Sequence, residues 1–244
     1  MHGAFTIVEA PLLKFTKFFV PVMLGLASMA SASAADLSYD FPQLVEMPET
    51  SFDWNGFYAG VYAGYATGRA TSTNVVNASA STVDVRGGLL GGTLGGNAQF
   101  GNFVLGLEGD LAWSDVNGSQ TCSNAPGFDC IGRMNWVGSG KLRGGVALDR
   151  VLLFGTAGLA VGGITASTNP APGGSTGTFS STVWGWTAGA GAEVAVTDAI
   201  SVKAEYAYYD FATVQAPINT IANTGATDIK SNAHALKLGV NYRF

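Results

Sequence analysis

From Trp54 to the C terminus, apolar and polar residues alternate with a period of two in eight successive segments, near 54–68, 86–100, 102–114, 133–148, 150–164, 183–197, 199–212 and 231–244. That period puts successive side chains on opposite faces of a strand and argues against an amphipathic helix, which repeats every ~3.6 residues. The joints between segments are of two kinds and alternate strictly. Gly101-Asn102, Asp149-Arg150 and Thr197-Asp198 mark very tight turns with hairpin chemistry. The other four connections, about 69–85, 115–132, 165–182 and 213–230, are long and polar. The arrangement predicts an all-β, eight-stranded antiparallel up-and-down barrel, with tight turns at one end and long connections at the other. Transmembrane barrels have this asymmetry, with short periplasmic turns and long external loops. Each segment also exceeds the ~9–11 residues that a tilted strand needs to cross a bilayer.

The sorting of charge names the solvent on each face. On the last segment Leu236, Leu238, Val240, Tyr242 and Phe244 share one face, and Lys237, Asn241 and Arg243 the other. Ile200, Val202, Ala204, Tyr206 and Tyr208 likewise oppose Ser201, Lys203 and Glu205. Phe103, Leu105, Leu107, Leu111 and Trp113 oppose Glu108 and Asp110. Trp136, Leu142 and Val146 oppose Ser139, Lys141 and Arg143, while Trp184, Trp186, Ala188, Val194 and Val196 oppose Glu193. A lysine or arginine facing lipid at midplane costs ~2–4 kcal/mol, so a membrane barrel must sort its charges in this way. The first, second and fifth segments are rich in glycine, and their alternation leaves the facing open.

Only 12% of the residues are charged and 47% are apolar. Such a chain lacks the charged skin of a soluble domain, and it is too apolar for disorder. A soluble eight-stranded barrel with the faces reversed is the alternative. It would bury the charges named above or leave a broad leucine, tyrosine and tryptophan band in water. Seventeen acids against twelve bases exclude a basic nucleic-acid surface. Two cysteines are too few for a disulfide scaffold or a cysteine-built zinc site.

Residues 1–35 read as a signal peptide: Lys14 and Lys17 form a positive start, Phe18 to Leu26 a short apolar stretch, and Ala32-Ser33-Ala34 or Ser33-Ala34-Ala35 a cleavage site. Residues 36–53, acidic and containing Pro42 and Pro48, read as a periplasmic N-terminal segment, leaving 54–244 for the barrel. After cleavage His234 is the remaining histidine. Export to an oxidising compartment predicts a disulfide between Cys122 and Cys130, closing one polar loop.

Inside the barrel, Glu108, Asp110, Glu193 and Glu205 face Lys141, Arg143, Lys203, Lys237 and Arg243. An eight-stranded barrel is only wide enough inside for side chains to fill it, so these charges read as an ionic plug. A narrow ion path along them is the functional alternative. Trp54, Phe57, Tyr58, Tyr242 and Phe244 gather near one end and Trp113, Trp136, Trp184, Trp186 and Tyr208 near the other, the pattern of aromatic belts at the two membrane surfaces. No phosphate-binding loop, G-x-S-x-G or H-E-x-x-H motif occurs. Ser231 near His234 is the one pair to weigh for acyl chemistry, and spacing alone supplies neither a third group nor an oxyanion site. Tyr206, Tyr208 and Tyr209 are formal haem ligands that read better as interfacial tyrosines.

The opening Asp53-Trp54-Asn55-Gly56-Phe57-Tyr58-Ala59-Gly60, the segment Arg150–Gly163 and the ending Lys237-Leu238-Gly239-Val240-Asn241-Tyr242-Arg243-Phe244 resemble small alphaproteobacterial outer-membrane β-barrel surface proteins, a porin family with OmpA-like and OmpX-like barrels. The resemblance implies a multi-pass location in a Gram-negative outer membrane, among lipid and lipopolysaccharide. It implies recognition of terminal Phe244 by the barrel-assembly machinery; because the chain stops at the barrel, the peptidoglycan-binding domain familiar from OmpA is not expected. Some relatives are described as porins or haem-binding surface proteins, and some eight-stranded barrels modify lipid A. The residues point to a non-catalytic envelope-structural and surface-exposed protein, with no cofactor, metal or nucleic acid and with loops open to a host or envelope partner. A small-solute porin is the main alternative, with lipid A modification and haem binding behind it.

Overall fold

A computed structural model describes residues 52–244, apart from 124–125, 172, 174–175 and 222–224. The signal peptide expected over 1–35 and residues 36–51 of the lead-in lie outside the described residues. Eight strands follow in order: β1 (Gly56–Asn74), β2 (Ala80–Phe100), β3 (Phe103–Thr121), β4 (Asp129–Leu148), β5 (Val151–Asn169), β6 (Thr178–Ala195), β7 (Ile200–Ala216) and β8 (Thr227–Arg243). Each pairs antiparallel with its sequence neighbour, and β1 pairs with β8 from Tyr58↔Arg243 to Asn74↔Thr227, which closes the barrel. Every strand thus has a paired neighbour on both sides, although β6 and β7 pair only from Gly185↔Phe211 to Ala195↔Ser201.

The tight turns fall where hairpin chemistry puts them. Gly101 (φ 60°) and Asp149 (φ 52°) take the left-handed conformation that glycine, and less readily Asp, tolerates. At the third turn the Thr197 hydroxyl accepts the Ile200 N–H at 2.9 Å.

The strands are longer than alternation alone predicts. Four connections expected to be long shrink to 75–79, 122–128, 170–177 and 217–226. The threonine-, serine- and asparagine-rich runs on either side are paired strand instead. Their outward face is a polar ladder: Arg69 meets Asp84 at 3.2 Å, the Thr71 and Thr82 hydroxyls lie 3.1 Å apart, and Gln215 donates to Asp228 at 3.0 Å. Inward from the same stretches point Val83, Val116, Ile164 and Ile229, all buried.

The barrel therefore reverses its polarity along its axis. Toward the tight-turn end the outer face is apolar, with Leu94, Leu107, Leu142 and Leu238 all about two-thirds exposed, and the interior is charged. A continuous apolar surface of this kind belongs against hydrocarbon. Toward the long-connection end the outer face is polar and the interior apolar. Register shifts lie near the change, between Trp113 and Val116 on β3, Met134 and Trp136 on β4, and Phe211 and Val214 on β7. On β4 the buried positions run through Val137, Ser139, Lys141 and Arg143, whereas above the shift Met134 packs inward. A bulge changes which residues face the core.

Candidate functional site

The charged layer is built from five strands. β3 supplies Glu108 and Asp110, β4 Lys141 and Arg143, β6 Glu193, β7 Lys203 and Glu205, and β8 Lys237. Alternate positions on each strand aim these side chains at the barrel axis, where none is more than 4% exposed. Lys141 lies at the centre, 2.8 Å from Glu205, 3.1 Å from Glu108 and 3.2 Å from Asp110. Lys203 donates to both Glu108 oxygens, at 2.9 and 2.8 Å, and Lys237 to Asp110 at 3.1 Å. Arg143 donates to Glu193, which also accepts from Ser201 and, at 2.8 Å, from Asn241. The Arg143 guanidinium lies 4.0 Å over the Phe154 ring. Among the described residues, four carboxylates thus face four cations in one connected layer. Neutrality and multiple hydrogen bonds are what buried charges need if their desolvation is to be offset.

Two tyrosines complete the layer. Tyr58 donates to Glu108 at 2.7 Å and Tyr62 to Asp110 at 2.9 Å. Both point inward from β1, so Tyr58 does not belong to the aromatic belt assigned to it from sequence. Their rings occupy the space that inward glycines of β2 leave open. A Cβ on Gly91 would sit 2.8 Å from the Tyr62 ring, and one on Gly95 would run into Tyr58.

Arg243 stands apart from the interior network predicted for it. It lies at the tight-turn mouth, half-buried, donating to the carbonyls of Asp53 (2.6 Å) and Asn55 (3.1 Å) and stacking 4.7 Å from Phe52 and 5.0 Å from Trp54. The chain entering β1 folds over this mouth and brings its own acceptors, so the guanidinium is used there. Trp54 is likewise no belt residue: it is 1% exposed and donates from Nε1 to the Asp149 carbonyl at 3.0 Å. With Phe52 it covers a cluster of Val104, Ala147, Leu152, Phe154 and Ala195 that closes the barrel below the ion pairs. Nearby, the backbone and side-chain N–H groups of Asn55 hold the Asp53 carboxyl below the ordinary aspartate value.

The remaining candidates sort by face. Ser231 points inward and is buried, while His234 is exposed on the outer face, where its Nδ1 lies 2.6 Å from the Tyr206 hydroxyl. The pair weighed for acyl chemistry is therefore divided by the barrel wall. Tyr206 faces outward, but Tyr209 is 2% exposed inside and stacks on Phe211, so the interfacial reading fails for Tyr209. Cys122 and Cys130 form a disulfide with Cα atoms 5.1 Å apart, joining the ends of β3 and β4. Terminal Phe244 is 79% exposed, packs edge-on against Tyr242 and donates its N–H to Phe57 at 3.0 Å.

Sequence comparisons agree with this geometry. Residues 22–244 match the family model described as an outer membrane protein beta-barrel domain. The chain is 34% identical over 240 residues to the 31 kDa outer-membrane immunogenic protein of Brucella melitensis, covering 91% of this chain and 98% of that one. It is 32% identical over 150 residues to the 22 kDa outer membrane protein of Rhizobium leguminosarum, covering 62% of this chain and 63% of the relative. Among solved structures it is similar to Ail, the attachment invasion locus protein of Yersinia pestis, at 16% identity and a TM-score of 0.40, covering 78% of this chain and 99% of Ail.

Proposed function

The chain belongs to the outer membrane protein β-barrel family and spans the outer membrane, and on that premise we propose that it is a non-catalytic, non-conducting barrel that serves envelope structure and surface display. The charge-paired layer carries this reading: Lys141 held by three carboxylates and Arg143 set between Glu193 and Phe154 support a bore filled at this level by paired side chains. The apolar floor of Phe52 and Trp54 gives a second closure. The separation of Ser231 from His234 supports the absence of acyl-transfer chemistry, and the naming of the Brucella relative as immunogenic supports exposure at the surface. Phe244, aromatic and exposed at the strand end, serves in this reading as the assembly signal, and the loops offer the surface for a host or envelope partner.

Planar-bilayer recording tests the closure. Purified protein that is folded, as judged by heat-modifiable gel mobility, is expected to give no stepwise conductance. Reproducible steps that disappear on substituting Lys141 or Glu205 would replace this proposal with the porin reading.

A further inference from the structure

The polarity reversal leaves a cavity of about 460 Å³ in the long-connection half of the barrel. Its walls include Val83, Val85, Val116, Met134, Ile164 and Ile229. No charged side chain is buried among the described residues at this level; the buried ions all belong to the layer below. Three of these wall residues, Val116, Ile164 and Ile229, belong to an apolar cluster that also holds the stacked Tyr209–Phe211 pair, with Lys237 of the ion layer 5.4 Å from the Tyr209 ring. Its upper wall is polar, with Asn74, Ser81 and Thr227; Arg69 and Arg133 also border it, but both are exposed, and Arg69 is paired with Asp84. The volume falls within the ~300–1,000 Å³ of small-molecule sites, and apolar walls with a few polar groups at one end are their usual chemistry.

We propose that this cavity binds one slender, single-chain amphiphile, its alkyl tail inserted toward Phe211 and its headgroup left at the polar upper end. The narrow bore of an eight-stranded barrel selects a linear chain over a fused-ring ligand. With both bordering arginines exposed and no cation buried among the apolar walls, the tail, rather than a charged head, supplies the affinity. The outer wall at this height carries Arg69, Asp84 and Asp228, which places the cavity above the lipid-facing band, so the occupant arrives from the aqueous side. The ion-paired layer below makes this a holding site and not a passage.

The test uses the chain in lipid nanodiscs free of detergent, with methyl-¹³C methionine. The chain from residue 36 onward contains just Met47 and Met134, so Met134 reports from the cavity wall and Met47 serves as control. Titration with 1-dodecanol is expected to give a saturable shift of the Met134 methyl alone. Val85→Phe, which fills the bore, is expected to weaken that response at least ten-fold, and Ile164→Ala, which widens it, to retain it. Dodecanoate is expected to bind within a few-fold of dodecanol. An unmoved Met134 signal, or the same response in folded Val85→Phe, would overturn the proposal. So would binding of dodecanoate without dodecanol, which indicates an anion site. Cross-peaks from nanodisc lipid chains to Met134 before any addition would assign the cavity to membrane lipid and equally overturn the free-amphiphile reading.

Discussion

Lys141 touches three carboxylates in a space that excludes water. At this depth a single unpaired charge is far more costly than a missing pair, because desolvation is no longer offset by attraction. Lys141→Met is therefore expected to lower unfolding stability by about 3–5 kcal/mol, read by urea unfolding in lipid vesicles. The double variant Lys141→Met, Glu205→Gln is expected to recover part of that loss, since it removes a carboxylate together with its cation. Full additivity of the two single effects would show that the residues act independently. The sign and inward facing of Lys141, Glu108 and Glu205 were legible from alternation, because a charge on a strand with leucines opposite has one place to go. Tyr58 and Tyr62 were not legible. A tyrosine suits either face, and what fixes it inside is the empty position of Gly95 and Gly91 across the strand pair, a relation that needs the register.

At the scale of the strand, the informative failure was at the upper ends. The sequence alternates cleanly up to Trp113, Trp136 and Phe211, and at each the register then shifts. Because a bulge breaks the phase, the polar residues beyond it looked like loop, although Ser119 pairs with Ile131 and Gln215 with Asp228. The same strand thus serves two solvents, and substitutions should report which. Leu107→Arg, placed against hydrocarbon, is expected to cost ~2–4 kcal/mol in vesicle unfolding. Thr82→Arg on the polar ladder is expected to change stability by less than about 0.5 kcal/mol, as for an ordinary surface position. Equal losses at both sites would mean that the upper wall is also immersed in lipid. The Cys122–Cys130 disulfide joins β3 to β4 beyond their bulges. Its reduction is expected to speed hydrogen exchange at Gly118–Thr121 and Asp129–Gly132 several-fold while the lipid-facing stretch around Leu107 keeps its protection, measured by exchange mass spectrometry. Local unfolding of this kind is drawn from the least-buried end of a structure.

For the whole molecule, two closures lie in series along one axis: the Phe52–Trp54 floor at the tight-turn mouth and the ion-paired layer above it. Resistances in series are governed by the larger, so opening either alone leaves the path blocked. Phe52→Gly with Trp54→Gly removes the floor but leaves Lys141 and Arg143 paired, and this variant is expected to stay silent in planar bilayers. Lys141→Ser with Glu205→Ser thins the ion layer but leaves Trp54 hydrogen-bonded to Asp149 below it, and silence is expected again. Combining the four changes is expected to produce conductance steps, provided heat-modifiable mobility shows that the barrel still folds. Conductance from the floor variant alone would mean that water already threads the charged layer, so that the carboxylates and amines line a conduit. Silence from the combined variant, with the fold intact, would place the decisive barrier higher, at the Tyr209–Phe211 stack beneath the apolar cavity.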